Sequence, residues 1–160
     1  MCLIFHSAYS FYNITLVKLI TTSEEQTIRL GEDIGKNLQG GEVLCLKGDL
    51  GAGKTTLVKG IAKGMGILEG YQVRSPTFTI VNEYPTQKGA LIHIDLYRVK
   101  DVQVEEFLGK GVVVIEWAEN FPFCTCTINI LVEDEKRVFV FEGCKELLEF
   151  LKVGSSVELF

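Results

Sequence analysis

One eight-residue stretch constrains this chain more than any other. Gly48-Asp49-Leu50-Gly51-Ala52-Gly53-Lys54-Thr55 fits G-x-x-x-x-G-K-[ST], and Thr56 follows it. The motif carries meaning only between a strand and a helix. Both flanks are legible. Glu42 to Lys47 (EVLCLK) is a short apolar run suited to a buried strand. Leu57, Ile61 and Met65 form the inward stripe of a helix that ends at Gly64-Met65-Gly66. In such a loop, glycines permit a bend whose N–H groups converge on phosphate oxygens, and the helix start adds its positive end. Lys54 is placed to reach the β- and γ-phosphates and Thr55 to ligate Mg²⁺. Lys54 is expected on the solvent side of the loop, so that its removal would spare the fold.

Around this loop the pattern is that of one α/β domain. Thr22-Ser23-Glu24-Glu25 reads as a helix start, Thr27, Leu30, Ile34 and Leu38 recur at helical spacing, and Gly40-Gly41 stops them. Strands are expected over 77–84 and 90–95 with a turn between, a short helix over 103–108, and a β-branched strand over 111–116. Period-two alternation over 127–133 and 136–142 around Asp134-Glu135 predicts a hairpin, and 145–152 a closing helix with Leu147, Leu148 and Leu151 inward. The expected fold class is α/β of the P-loop NTPase kind: a central, mostly parallel sheet flanked by helices, with an antiparallel hairpin near the C-terminus. Residues 1–17 read as an N-terminal extension of uncertain structure and 18–160 as a single domain.

Two apolar strands end in carboxylates. Leu91-Ile92-His93-Ile94-Asp95 offers Asp95 as the second metal-binding group that a phosphate loop needs, a turn cap being the other reading. Val112 to Ile115 delivers Glu116 in the same way, either to metal or to an attacking water, or else as a surface acid. His93 would share the face of Asp95, where a packed, hydrogen-bonded histidine is favoured over a role beside the metal. Trp117 either walls the site or belongs to the core. Ser75-Pro76-Thr77-Phe78-Thr79 sits where nucleotide hydrolases keep a γ-phosphate-sensing loop, with a strand-entry turn as the alternative.

Composition narrows the partners. With 16 Lys and Arg against 21 Asp and Glu, the net charge is −5, which opposes autonomous binding to a phosphate backbone. Apolar residues reach 47%, enough for a core, yet no run reaches the roughly 18–20 residues of a membrane span. The leading segment lacks the basic start of a signal peptide. Five cysteines without a C-x-x-C pair suggest reduced thiols rather than a disulfide framework, and the cytoplasm is the expected compartment.

Taken together, Gly48 to Thr56, SPTFTIVNEY (75–84), HIDLYR (93–98) and IEW (115–117) make the chain resemble the TsaE family, over about 19–152. These are bacterial P-loop ATPases of tRNA threonylcarbamoyladenosine synthesis. The resemblance implies ATP and Mg²⁺ as ligands, slow hydrolysis alone, and action with a TsaB–TsaD pair, touching tRNA only indirectly and neither DNA nor membrane. Carried over, Lys54, Asp95 and Glu116 are the catalytic residues, and Thr55, Asp95 and Glu116 the metal residues. Gly48, Asp49, Leu50, Gly51, Ala52, Gly53, Lys54, Thr55, Thr56, Thr77 and Trp117 bind the nucleotide, with Glu24 near its base or ribose. The Asp95–Glu116 connection is shorter here than the family pattern. A small-molecule or nucleoside kinase on the same loop is the alternative function. A GTPase is disfavoured because no N-K-x-D tetrapeptide occurs.

Overall fold

The computed structural model describes residues 3–7, 16–99, 101–119, 121–154 and 158–159. Its strands form one mixed sheet in the order β4-β5-β6-β3-β7-β8-β2-β1-β9. The continuous apolar runs predicted to be buried on both faces occupy its centre: β3 (Val43–Lys47), β5 (Gly89–Asp95) and β6 (Val112–Glu116). There β5 pairs with β6, β6 with β3, and β3 with β7 (Cys126–Glu133), all parallel. Antiparallel strands extend both sides. β4 (Val81–Thr86) folds back on β5, while β8 (Lys136–Glu142) joins β7 to β2 (Leu16–Thr21). Within the leading segment, β1 (Leu3–Ser7) pairs with β2, and the two-residue β9 (Glu158–Leu159) adds to its outer side. The remainder of residues 1–17 lies outside the described residues.

Alternation along the strands divides the core in two. Leu44, Leu46, Leu91, Val112 and Val114 face α1 (Glu24–Asn37), α2 (Lys54–Met65) and α3 (Lys145–Gly154). Val43, Cys45, Ile92, Ile94, Val113 and Ile115 face the other way, under the 3₁₀ turn Val104–Phe107 and the segment after Trp117. α1 starts where the sequence indicates: the Ser23 hydroxyl caps it by accepting from Gln26 N at 3.1 Å. Helices α1 and α2 cross on glycines. A Cβ on Gly31 would lie 2.9 Å from the Gly60 Cα, and one on Gly64 would lie 2.9 Å from Lys36 N. Only residues without side chains permit backbones so close.

Two expectations need correction. Residues 77–80 are a turn rather than strand, and β4 begins at Val81. Ile80 N donates to Pro76 O at 2.6 Å, and Ile80 takes φ +70°, which breaks extended geometry. The cysteines, moreover, are not all reduced thiols: Cys45 is bonded to Cys124 and Cys126 to Cys144. Sequence spacing hides these pairs because topology makes them. Thr125 N donates to Val43 O, and Cys126 pairs with Leu44, so the β7 entry lies alongside β3. Cys2 lies outside the described residues. No described helix is long and apolar enough to cross a membrane.

Candidate nucleotide site

Between β3 and α2 the chain turns through Gly51 at φ +76° and Gly53 at φ +109°, backbone states that side chains disfavour. This bend leaves the first N–H groups of α2 without helical partners and aimed outward. Lys54, the first residue of α2, folds back over the loop. Its ammonium donates to Gly48 O at 2.6 Å and Asp49 O at 2.9 Å, and lies 3.9 Å from the centre of the Trp117 ring. Lys54 is therefore not on the solvent side as expected, but only 5% exposed. Burial holds its pKa below the usual lysine value, opposed by the negative charges of Glu116, Asp95 and Asp49.

The two carboxylates arrive on neighbouring parallel strands, where Asp95 is the register partner of Glu116. Both are buried on the helix-covered face. The Thr55 hydroxyl donates to Glu116 Oε1 at 2.9 Å. The same oxygen lies 2.7 Å from Nε2 of His93, which is completely buried. Asp95 is held from two sides: its Oδ1 accepts from Tyr97 N at 2.8 Å and its Oδ2 from the Thr77 hydroxyl at 3.1 Å. The turn at 77–80 thus serves the site, since it swings Thr77 onto Asp95. Trp117, at φ +62°, stacks obliquely on Tyr97 with 4.8 Å between ring centres.

These groups surround a cleft of about 260 Å³ lined by Leu50, Gly51, Gly53, Lys54, Thr55, Thr56, Ser75, Thr77, Asp95, Tyr97, Glu116 and Trp117. A second cleft of about 220 Å³ opens on the other side of the loop and shares Gly51, Gly53 and Thr56. Glu24 lines that second cleft with Ser23, Thr27, Glu135 and Arg137. Gly48, Asp49 and Ala52 line neither; Ala52 is buried and the Gly48 and Asp49 carbonyls hold Lys54. Sequence reasoning did not single out Tyr97, Glu135 or Arg137 for the site. The hairpin tip carrying Glu135 is more than 70 residues from the loop, so only the sheet order brings it near. Arg74 and Arg98 are exposed, with Arg98 lying 5.1 Å from the Phe78 ring centre.

Thr55, Asp95 and Glu116 present a donor set of oxygens alone. That chemistry fits Mg²⁺, which prefers a few protein oxygens completed by phosphate and water. The Thr55 hydroxyl proton already points at Glu116, leaving its lone pairs free for a cation.

The family model described as "Threonylcarbamoyl adenosine biosynthesis protein TsaE" matches residues 21–139. This chain belongs to the TsaE family. The Aquifex aeolicus tRNA threonylcarbamoyladenosine biosynthesis protein TsaE is 51% identical over 76% of this chain and 92% of its own length. The Bacillus subtilis protein of the same name is 43% identical over 84% of this chain and 90% of its own. A crystal structure of Bacillus subtilis YdiB superposes with a TM-score of 0.74 at 31% identity, covering 91% of this chain and all of that one. The α/β sheet expected from the sequence is thus shared with a solved relative, and a TsaE-type nucleotide-binding loop is consistent with both clefts. The kinase alternative is not favoured by these relatives.

Proposed function

We propose that this TsaE-family chain binds ATP with Mg²⁺ in the cleft at Gly51–Thr56 and hydrolyses it slowly. In doing so it supports threonylcarbamoyladenosine modification of tRNA in the cytoplasm, together with a TsaB–TsaD-like complex. The observation that carries the reading is the convergence of Lys54, Thr55, Asp95 and Glu116 on one cleft beside a phosphate-type loop.

In this reading the loop N–H groups and the Lys54 ammonium hold the β- and γ-phosphates. Phosphate oxygens replace the Gly48 and Asp49 carbonyls as acceptors for Lys54, exchanging neutral partners for charged ones that bind more strongly. Glu116, held by Thr55 and His93 through Oε1, uses its second oxygen to orient water for in-line attack on the γ-phosphorus. The bond to the β-phosphate oxygen then breaks and ADP leaves. Mg²⁺, held by Thr55 and Asp95 with Glu116 nearby, would neutralise charge developing on the phosphates. Thr77, tied to Asp95, links the γ-phosphate end of the cleft to the 75–80 turn. The second cleft, with Glu24, Glu135 and Arg137, suits the nucleoside end.

Leu50 and Tyr97, which line the cleft, are 71% and 46% exposed, and Phe78, next to the lining residue Thr77, is 85% exposed. Exposed apolar side chains at a nucleotide site favour a docking partner that senses nucleotide state. The net charge of −5 favours a protein partner over direct tRNA contact. Reconstituting tRNA modification with and without this chain tests the proposal. Sustained modification is expected only with the chain and ATP, and not with a non-hydrolysable analogue. Equal yield without the chain would refute it.

A further inference from the structure

His93 is completely buried, and it carries the one buried side-chain nitrogen or oxygen without a hydrogen-bond partner among the described residues. Its Nδ1 has no hydrogen-bond partner, and its single polar contact is Nε2 to Glu116 Oε1 at 2.7 Å. A buried polar atom left unpaired is costly, and an apolar side chain at this position would escape that cost. On the same face β5 presents Leu91 to the core and Asp95 to the cleft. What distinguishes His93 from a core residue is therefore its contact with the carboxylate.

We infer that His93 is a positioning residue for Glu116: its Nε2–H fixes Oε1, so that Oε2 alone is presented to the cleft. Two donors then saturate Oε1, the Thr55 hydroxyl at 2.9 Å from α2 and the imidazole from β5. The carboxylate is held between a helix start and a neighbouring strand, which locks its rotation. Both side-chain hydrogen bonds of Glu116 among the described residues go to Oε1, and Glu116 lines the cleft. The orphaned Nδ1 fits the same tautomer. With the ring proton on Nε2, Nδ1 carries only a lone pair, and no donor lies near it. The inference rests on the reading of Glu116 as the residue that orients water. It adds to that reading a second residue, from a strand that contributes no phosphate ligand.

The wild-type protein supplies the first test, without nucleotide or metal. Imidazole ¹⁵N–¹H spectra should show His93 as the Nε2–H tautomer with a slowly exchanging, downfield ring proton. The Nδ1–H tautomer would overturn the inference. Steady-state hydrolysis supplies the second test. Removing a partner that orients a reactive group costs on the order of ten- to a hundredfold, so His93→Leu should lower kcat by about that factor with little change in KM for ATP. His93→Gln, which can return an amide N–H toward Glu116, should recover most of the loss. Wild-type kcat in a folded His93→Leu protein, alongside a Glu116→Ala protein that is impaired, overturns the positioning role alone. Wild-type rates in both variants overturn the reading of Glu116 as well. If His93→Leu does not fold, the tautomer decides.

Discussion

Replacing Gly60 by alanine sets two physical effects of opposite sign against each other. Alanine is the better helix former, by about 1 kcal/mol relative to glycine inside a helix. On propensity alone, Gly60→Ala should therefore stabilise the protein. The structure predicts the reverse. A Cβ at position 60 would lie 2.8 Å from the Gly31 Cα and collide with the Ile28 carbonyl oxygen. Both obstacles are backbone, and neither can rotate away. Helix α1 must move as a whole, so the upper end of the usual overpacking cost, about 3 kcal/mol, applies. Subtracting the propensity gain leaves about 2 kcal/mol of destabilisation, or a drop of about 4–8 °C in Tm for a chain of this size. Thermal unfolding by circular dichroism reads this directly. Gly31→Ala meets the same crossing from the other side, so the double variant should cost less than the sum of the two. A Gly60→Ala protein with a raised Tm would refute the close-crossing argument.

The Cys45–Cys124 bond closes a loop of 79 residues, which in the chain-entropy picture is worth about 4–5 kcal/mol. Reduction should lower the urea midpoint markedly, and thiol titration of the unfolded, unreduced protein should find one free cysteine of the five; finding five would contradict both bonds. Glu116→Ala should lower ATP turnover by about 10²–10⁴-fold while ATP affinity stays within a few-fold, as read by phosphate release and calorimetry. The pKa of Lys54 is lowered by burial in the free protein, and a bound triphosphate would raise it. ATP binding on the alkaline side should therefore be accompanied by proton uptake, seen as a buffer-dependent binding enthalpy that Lys54→Met abolishes.

Much of the candidate nucleotide site is legible in the sequence because its parts are local. The loop from Gly48 to Thr55 sits between a strand and a helix that each announce themselves within a few residues. Asp95 and Glu116 each end a short apolar run, so a strand-end carboxylate could be read without knowing which strands pair. What the sequence left dark depends on pairing over long separations. The Cys45–Cys124 bond follows from β3 lying beside the β7 entry, and the Cys126–Cys144 bond from the antiparallel pairing of β7 with β8, which sets Thr127 against Glu142. Glu135 and Arg137 reach the second cleft only because β8 pairs with β2. The turn at 77–80 was hidden for a different reason. β-branched and aromatic residues there favour a strand, but the bond from Ile80 N to Pro76 O and the positive φ of Ile80 close a turn that also brings Thr77 onto Asp95. Lys54 departs from the expected position because a charged side chain usually seeks water, whereas here two carbonyls and an indole ring receive it.

The most direct measurement is calorimetric titration of ATP with Mg²⁺ into the wild-type protein and into Lys54→Ala. A hydrogen bond to a charged group is worth about 1.5–3 kcal/mol, so the variant should bind ATP roughly ten- to a hundredfold more weakly; because Lys54 is buried, circular dichroism and thermal unfolding of the variant accompany the titration. Undiminished affinity in Lys54→Ala, or no ATP binding by the wild-type protein, would contradict the claim that this loop holds the terminal phosphates.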